Sequence, residues 1–356
     1  MRIAQIAPLF ESVPPRGYGG TERVVSYLTD ALQAARHEVT LFASGDSQTT
    51  AELCAGSPRA LRLDPEHGDP MALHLILVER AFERASEFDV IHAHLDYLPF
   101  PAARRSEIPV VTTLHGRLDL PWMAQILGEF AEQRVISISR AQRKQLPRVN
   151  WVGTVHHGLP HELYRFHAEG SGGYLAFVGR ISIEKRVDRA IEIAVRSGLP
   201  LKIAAKIDPS DEGYFHAEIE PLLANPLVEY VGELTDDEKN DFIGNARAVL
   251  FPIDWPEPFG LAMIEALACG TPVIAWPHGS VGEIISDGVS GRIVSDVASA
   301  VRAVEAIDDI DRRRCRAEFE TRFTAERMAA DYVKIYEKVL SGFGPRSREP
   351  GARCIA

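Results

Sequence analysis

The feature that most constrains the fold is an alternation of short apolar runs with amphipathic stretches, which passes through the chain twice. In the first half, buried strands are predicted at 2–7, 37–43, 90–94, 110–115 and 134–139, and a helix is marked by apolar residues at helical spacing, Val24, Val25, Leu28 and Leu32. In the second half, strands are predicted at 174–178, 201–205, 228–231, 248–252 and 272–275, and helices at about 186–197, 236–245, 261–268 and 296–306. Strands separated by helices predict an α/β fold with a parallel, doubly wound sheet in each half.

The two halves are separated by breaks rich in glycine. His156 to Pro160 is followed by Gly-Ser-Gly-Gly at 170–173, so we expect one domain at 1–158 and a second at 159–323. A chain of 356 residues is long enough to divide its core in this way. A last helix is predicted at 324–340, and the polar segment 342–356, which contains proline and glycine, is predicted to be a disordered tail.

Composition excludes several classes of protein. No apolar run reaches the roughly 20 residues that span a bilayer, and the first residues lack the pattern of a signal peptide, so a cytoplasmic location is expected. The four cysteines are scattered and are expected to be reduced thiols. A net charge of −11 argues against binding nucleic acid. Contact with a membrane surface is not favoured, because the one basic cluster is better explained as a solvated helix face: Arg140, Arg143, Lys144 and Arg148. The oligomeric state is left open.

The strongest local motif follows the strand at 248–252, where ligands bind in open parallel sheets. Gly260 can begin a helix that Gly270 ends. Glu257 then lies in the loop before that helix, and Glu265 lies about one turn inside it. The helix N-terminus attracts anions, and carboxylates beside it suit the hydroxyls of a sugar or a ribose. The alternative, a helix-start carboxylate with a surface glutamate, is about equally compatible with the pattern alone.

Two further loops follow strands. After Gly179, the residues Arg180 and Lys185 bracket a tight turn. Both cations can converge on one anion, such as a leaving diphosphate. The glycine loop with Gly19 and Gly20 permits close approach of the backbone to a ligand. Its spacing matches neither the dinucleotide pattern nor a Walker loop, which disfavours a dehydrogenase and a P-loop ATPase.

These motifs occur in the order seen in retaining glycosyltransferases of family four, and the chain resembles that family over residues 1–340. The ordered matches are Gly19-Gly20-Thr21-Glu22, Thr113 to Gly116, His157-Gly158, Gly179 to Lys185, Gly232-Glu233-Leu234, and Glu257 with Glu265. The resemblance implies a GT-B fold, in which two Rossmann-like domains face each other across a cleft. It also implies that the first domain binds the acceptor, that the second binds the nucleotide-sugar donor, and that the last helix packs back on the first domain.

The family's functional residues map onto this chain one by one. Arg180 and Lys185 would hold the donor diphosphate. Glu265 would hold the ribose, Glu257 the transferred sugar, and Leu234 would lie near the base. The remaining positions implied are the backbone amides of Phe259, Gly260 and Leu261 near the sugar and phosphate, Gly19 and Gly20 on the floor of the acceptor side, and His115 near the reacting sugar.

Two sequence details lie outside that pattern. Lys206 follows the strand at 201–205 where many relatives have a glycine-bearing turn, and we hypothesise that it contacts the donor phosphate or a substrate carboxylate. His92 and His94 share one strand face, but no third metal ligand accompanies them, and Asp309-Ile-Asp311 falls in a charged linker. We therefore expect neither a metal nor another cofactor.

The expected reaction is metal-independent transfer of a hexose to a hydroxyl acceptor with retention of configuration. UDP-glucose is the preferred donor and GDP-mannose the next. The acceptor is expected to be small or sugar-like. The alternatives are a GT-B sugar-nucleotide epimerase, a phosphorylase using inorganic phosphate and often pyridoxal phosphate, and a noncatalytic sugar-nucleotide-binding protein.

Overall fold

The computed structural model describes residues 1–17, 19–64, 66 and 68–343. Seven strands of the first half are β1 Arg2–Ile6, β2 Glu38–Ser44, β3 Glu52–Ser57, β4 Val90–Ala93, β5 Val110–Leu114, β6 Arg134–Ser137 and β7 Trp151–Thr154. They form one parallel sheet in the order β3-β2-β1-β4-β5-β6-β7. The helices of this half are α1 Gly20–Ala34, α2 Pro70–Glu83, α3 Phe100–Ala103, α4 Pro121–Glu129 and α5 Arg140–Gln145.

The second half repeats the architecture with six strands. They are β8 Leu175–Arg180, β9 Leu201–Lys206, β10 Val228–Gly232, β11 Ala248–Phe251, β12 Val273–Ala275 and β13 Gly291–Ile293, in the order β10-β9-β8-β11-β12-β13. The helices are α6 Val187–Ser197, α7 Glu212–Tyr214, α8 Asp236–Gly244, α9 Leu261–Cys269, α10 Val281–Ile284, α11 Val297–Glu305, α12 Arg312–Arg322 and α13 Ala325–Ser341. None of these described helices combines the length and apolar character that a membrane crossing needs.

Every strand that the sequence predicted is present, with ends within about two residues. The prediction lacked β3, β7 and β13, which are edge strands. Their residues are partly exposed, so they carry no continuous apolar run. The strand order reverses between β1 and β4 and between β8 and β11, and such switch points open a crevice at the carboxyl ends of the strands.

The chain passes between the two halves at two neighbouring places. Leu159 pairs with Thr324 in an isolated parallel bridge, and a Cβ at Gly158 would lie only 2.1 Å from the Thr324 carbonyl oxygen. Arg327 donates to the carbonyls of His156 and His157 at 2.9 and 2.8 Å. These contacts hold the two crossings side by side.

The last helix, α13, returns to the first half and packs against α1 and β7. Its buried Tyr336 lies against the ring of His92 and receives a hydrogen bond from Gln5 at 3.4 Å. Before it, Asp309 ends a short 3-10 turn and Asp311 caps α12 by accepting from Arg313 N at 2.9 Å. Of the predicted tail, residues 344–356 lie outside the described residues, as does Cys354.

Candidate active site

The loops at the carboxyl ends of both sheets enclose a cavity of about 930 Å³. The residues predicted for the site come from both halves of the chain and from six separate segments. All of them line this one cavity: Gly19, Gly20, His115, Arg180, Lys185, Lys206, Leu234, Glu257, Phe259, Gly260, Leu261 and Glu265. The structure therefore brings together residues that are up to 246 positions apart, from Gly19 to Glu265.

The start of α9 forms one end of the cavity. Gly260 precedes the helix with φ of 85°, and a Cβ there would lie 2.8 Å from Met263 Cε and 3.0 Å from Phe251 Cζ. Ser280 fixes the loop from behind by donating its hydroxyl to the Phe259 carbonyl at 2.6 Å. The first turn of a nine-residue helix thus lines the cavity, where its unpaired amides favour an anion.

Lys185 and Glu257 lie next to this helix end. The Lys185 ammonium pairs with Glu257 Oε2, and Trp255 Nε1 donates to the same oxygen at 3.0 Å. The ammonium also lies 5.1 Å from the ring of Trp255 and 5.6 Å from that of Phe251. Glu257 is only 7% exposed, so the ion pair is largely shielded from solvent. The rings of Trp255 and Phe251 further restrict the position of the Lys185 ammonium.

Arg180 and Lys206 end adjacent strands and stand in register with each other. Arg180 pairs with Glu184 at 2.7 Å and lies 3.7 Å from Asp208. Lys206 lies 3.3 Å from the other oxygen of Asp208. This side of the cavity therefore presents cations whose positions are set by carboxylates of the same half.

Glu265 is buried and accepts a hydrogen bond from the Tyr164 hydroxyl at 3.4 Å. Lys239 lies 3.5 Å from the same carboxylate and also 3.5 Å from Asp236. Asp236 in turn pairs with Arg23 of α1, which belongs to the first half. Leu234 lies half-buried in the segment just before α8.

A chain of hydrogen bonds fixes the protonation of His115. His94 Nε2 lies 2.6 Å from the Gln5 amide oxygen, which only accepts, so Nε2 carries the proton. The neutral ring of His94 then accepts at Nδ1 from His115 Nε2, 2.8 Å away. His115 is left with a lone pair on Nδ1, which is buried and has no hydrogen-bond partner among the described residues.

Burial also keeps these rings uncharged. It lowers the pKa of His115 to about 3 and holds the pKa of His94 well below its ordinary value. The ring of His157 stacks on that of His115 with centroids 5.3 Å apart. At neutral pH, His115 therefore carries no positive charge, and its Nδ1 is an acceptor without a partner among the described residues.

Two family models match the chain in succession. The model described as Glycosyltransferase Family 4 matches residues 18–163, and the model described as Glycosyl transferases group 1 matches residues 165–323. The chain belongs to the family-four glycosyltransferases.

Known proteins resemble this glycosyltransferase over nearly its whole length. The alpha-maltose-1-phosphate synthase of Mycobacterium tuberculosis is 26% identical over 93% of this chain and 99% of its own. The GDP-mannose-dependent alpha-(1-6)-phosphatidylinositol dimannoside mannosyltransferase of the same organism is 26% identical over 94% and 95%. The crystal structure of Anabaena HepE in complex with UDP-glucose has a TM-score of 0.73 at 19% identity, over 96% and 100%. The expected GT-B fold and enzyme class are confirmed.

The glycosyltransferase contains cavity residues for which the sequence predicted no role. Glu22 was noted only as part of the glycine-loop motif, yet this residue lines the cavity and is 6% exposed. Asp96 follows β4 by three residues and adopts a positive φ of 47°. Burial raises the pKa of Glu22 to about 7 and that of Asp96 to about 6. The only available signal was that Asp96 lies just after β4 and Glu22 lies in the first turn of the helix that follows β1.

His92 and His94 do not form a metal site with the residues that the structure describes. Among those residues, no group of three or more histidines, cysteines or carboxylates is arranged to hold a metal. The two nitrogens of His92 instead lie 2.7 Å from the hydroxyls of Tyr336 and Thr113. The pair therefore connects α13 to the sheet and supports His115.

Proposed function

We propose that this glycosyltransferase moves a hexose from a nucleoside diphosphate sugar to a hydroxyl group, with retention of configuration and without a metal ion. UDP-glucose is the proposed donor and GDP-mannose the next candidate, in line with the UDP-glucose complex of HepE and the GDP-mannose dependence of the mannosyltransferase. A cytoplasmic location is part of the proposal. The observation that carries it is the meeting of Arg180, Lys185 and the start of α9 in one cavity with Glu257 and Glu265.

The donor diphosphate would lie against the cationic wall. Arg180 and Lys185 neutralise its charge, and the amides at the start of α9 add the positive end of a helix dipole. As the bond from the sugar to the diphosphate breaks, negative charge grows on the leaving phosphate, and these groups stabilise it more strongly than they stabilise the bound donor. This placement supplies the charge compensation that a metal ion gives in other transferases.

The sugar and ribose would be held by acceptors of hydrogen bonds. Glu265 accepts from the ribose hydroxyls and Glu257 from the hexose, while His115 Nδ1 accepts from another hexose hydroxyl. Attack by the acceptor hydroxyl on the face that the diphosphate leaves gives retention, and a leaving phosphate oxygen takes the hydroxyl proton. Enclosure between two domains limits hydrolysis by excluding water.

Thermal-shift measurements with UDP, GDP and their glucose and mannose conjugates test the donor. A ligand at 100 times its Kd stabilises the fold by about 2.7 kcal/mol, and we expect the largest shift with UDP-glucose. The products are then followed by NMR. A free isomerised sugar formed from donor alone identifies an epimerase, and binding without turnover identifies a noncatalytic protein. The absence of a shift with every nucleotide would refute the proposal.

A further inference from the structure

Glu283 joins the two halves of the chain through a contact across the cleft. It lies in α10 of the second half, and its carboxylate binds the start of α5 in the first half. Oε2 accepts from the Arg140 amide at 2.8 Å, and Oε1 accepts from the Ala141 amide at 2.6 Å. His156 Nε2, at a crossing between the halves, lies 3.1 Å from Oε2. One carboxylate therefore holds both a helix of the first half and a segment that connects the halves.

The charge of this carboxylate strengthens the contact. The Glu283 side chain is 20% exposed. Burial raises the pKa of this carboxyl, but hydrogen bonds from His156, Arg140 and Ala141 outweigh burial and hold that pKa below its ordinary value. Hydrogen bonds from backbone amides to a carboxylate are roughly twice as strong as those between neutral groups. At neutral pH, Glu283 is therefore an anion whose two oxygens are bound to the first half.

α10 is fixed in turn to the loop that contains Glu257 and Phe259. A Cβ at Gly279 would lie 2.2 Å from the Glu257 carbonyl oxygen, so the two backbones are in direct contact. The Ser280 amide donates to the same oxygen at 3.0 Å, and the Ser280 hydroxyl donates to the Phe259 carbonyl. The Glu283 amide donates to the Ser280 carbonyl at 2.8 Å. Glu283 thus lies one helical turn from the residue that fixes this loop.

In the first half, α5 is fixed to the segment that contains His115. Gln142 of α5 is fully buried, and its side-chain nitrogen donates to the carbonyls of Leu114 and Gly116 at 2.9 Å each. Its side-chain oxygen accepts from the Ile138 amide at 3.0 Å. Because both ends of this amide group are paired, its orientation is determined. The residues on either side of His115 are therefore held by the helix whose start the carboxylate binds.

Ring contacts join the same two segments inside the cavity. The ring of His157 stacks on that of His115 and meets that of Phe259 edge-on, with centroids 4.7 Å apart in the second contact. Two connections therefore link His115 to the loop of Phe259, one through rings and one through Glu283. The hydrogen bonds of the second connection are directional, so they restrict the positions that the rings adopt.

We propose that Glu283 is a positioning residue for the transfer reaction, because its carboxylate holds α5 so that Gln142 keeps His115 in place beside the loop of Phe259. Among the described residues that line the cavity, neither Glu283 nor Gln142 is present, so their effect on a substrate passes through His115. This inference rests on the proposed function, in which His115 Nδ1 accepts from a hydroxyl of the hexose. Loss of the carboxylate then weakens binding of the hexose and leaves binding of the nucleotide unchanged, since the proposed nucleotide contacts all lie in the second half.

Calorimetric titration with UDP and UDP-glucose tests the proposal, with GDP and GDP-mannose instead if that pair is the one that binds. The ratio of the two dissociation constants measures the contribution of the hexose, and the fitted stoichiometry gives the folded fraction. Glu283→Gln preserves the size of the side chain and removes its charge. We expect it to leave the Kd of UDP within about twofold and to weaken binding of UDP-glucose by about three- to tenfold, the range for one hydrogen bond. Glu305→Gln, at the exposed end of α11, is the matched control and changes neither constant.

A second variant interrupts the same connection at its other end. Gln142→Met removes the hydrogen bonds to Leu114 and Gly116 and leaves the Glu283 carboxylate in place. It should reduce the contribution of the hexose to a similar extent. The double variant should lose little more than either single variant, because both changes act through His115. Melting temperatures without ligand show whether each variant folds. If Glu283→Gln does not fold, Glu283→Asp replaces it, because aspartate keeps the charge but is shorter by one methylene group.

Three results would overturn the positioning role. A lower melting temperature of Glu283→Gln with both dissociation constants unchanged would mean that the carboxylate only stabilises the fold. An equal loss of affinity for UDP and UDP-glucose would mean that it acts on the nucleotide contacts and not through His115. Additive losses in the double variant would mean that Glu283 and Gln142 act separately. If the wild-type protein binds no nucleotide and no nucleotide sugar, the proposed function itself fails.

Discussion

Replacing Glu22 by glutamine is expected to change how the free energy of unfolding depends on pH. The ordinary pKa of this carboxyl is 4.5, and burial raises it to about 7 in the folded protein. The folded state therefore holds a proton that the unfolded state releases, so the wild-type protein loses stability as pH rises from 4.5 to 7. At about 1.4 kcal/mol for each pH unit, the loss is on the order of 3 kcal/mol.

Urea denaturation of both proteins at pH 4.5 and pH 8 measures the effect. Glutamine preserves the size of the side chain, but it does not ionise. We expect the two proteins to be similar in stability at pH 4.5 and the variant to be more stable at pH 8 by about 3 kcal/mol. The exposed control Glu83→Gln should show no such dependence.

The comparison between the two pH values removes effects of the substitution that do not depend on ionisation. The nearby Arg62 opposes the shift and Glu11 adds to it, so both are left unchanged. A variant that gains less than about 1 kcal/mol between the two pH values, or that loses stability, would show that the Glu22 carboxyl is solvated or paired with a cation in the folded protein.

Three other substitutions test the start of α9, its neighbour Lys185 and the hydrogen bonds of His115. Lys185→Ala should lower kcat/KM by roughly 100-fold or more, because it removes a cation from the diphosphate and leaves Glu257 without its ion-pair partner. Initial rates with the identified donor measure this effect, and Lys202→Ala, outside the cavity, is the control. Gly260→Ala should cost about 1–3 kcal/mol in urea denaturation, since alanine is strained at a φ of 85°. His94→Phe leaves the His115 Nε2 proton without an acceptor, so nitrogen NMR should show a proton on Nδ1 in a measurable fraction of His115, and an unchanged tautomer would contradict the hydrogen-bond chain.

The sequence predicted the central strands because those strands are buried on both faces and their residues form unbroken apolar runs. Of the four edge strands, β10 was predicted, but β3, β7 and β13 lack that signal. The residues of β7 are all half-buried, and β13 has only three residues. A pattern of apolar residues could not separate these strands from loops, although the sheet needs them to cover its outer strands.

The cavity residues of the second domain could be predicted from the sequence more completely than those of the first domain. Glu257, Gly260 and Glu265 lie within one continuous segment, and a strand followed by a helix start fixes their relative positions in advance. Glu22 comes from the first turn of α1 and Asp96 from the loop after β4, and the solvent that each carboxyl loses depends on how these two segments pack. A short pattern records residue types, but it does not record which carboxyls lose their solvent.

The first-domain and second-domain sides of the cavity are nevertheless connected through two consecutive residues of α1. Glu22 faces the cavity, and Arg23 next to it pairs with Asp236 of the second domain. Lys239 links Asp236 to Glu265 at 3.5 Å on each side. A ribose bound to Glu265 would thus lie three ion pairs from the helix turn that presents Glu22. Because the position of that turn depends on pairs formed across the cleft, affinity for an acceptor has to be measured with the donor nucleotide bound.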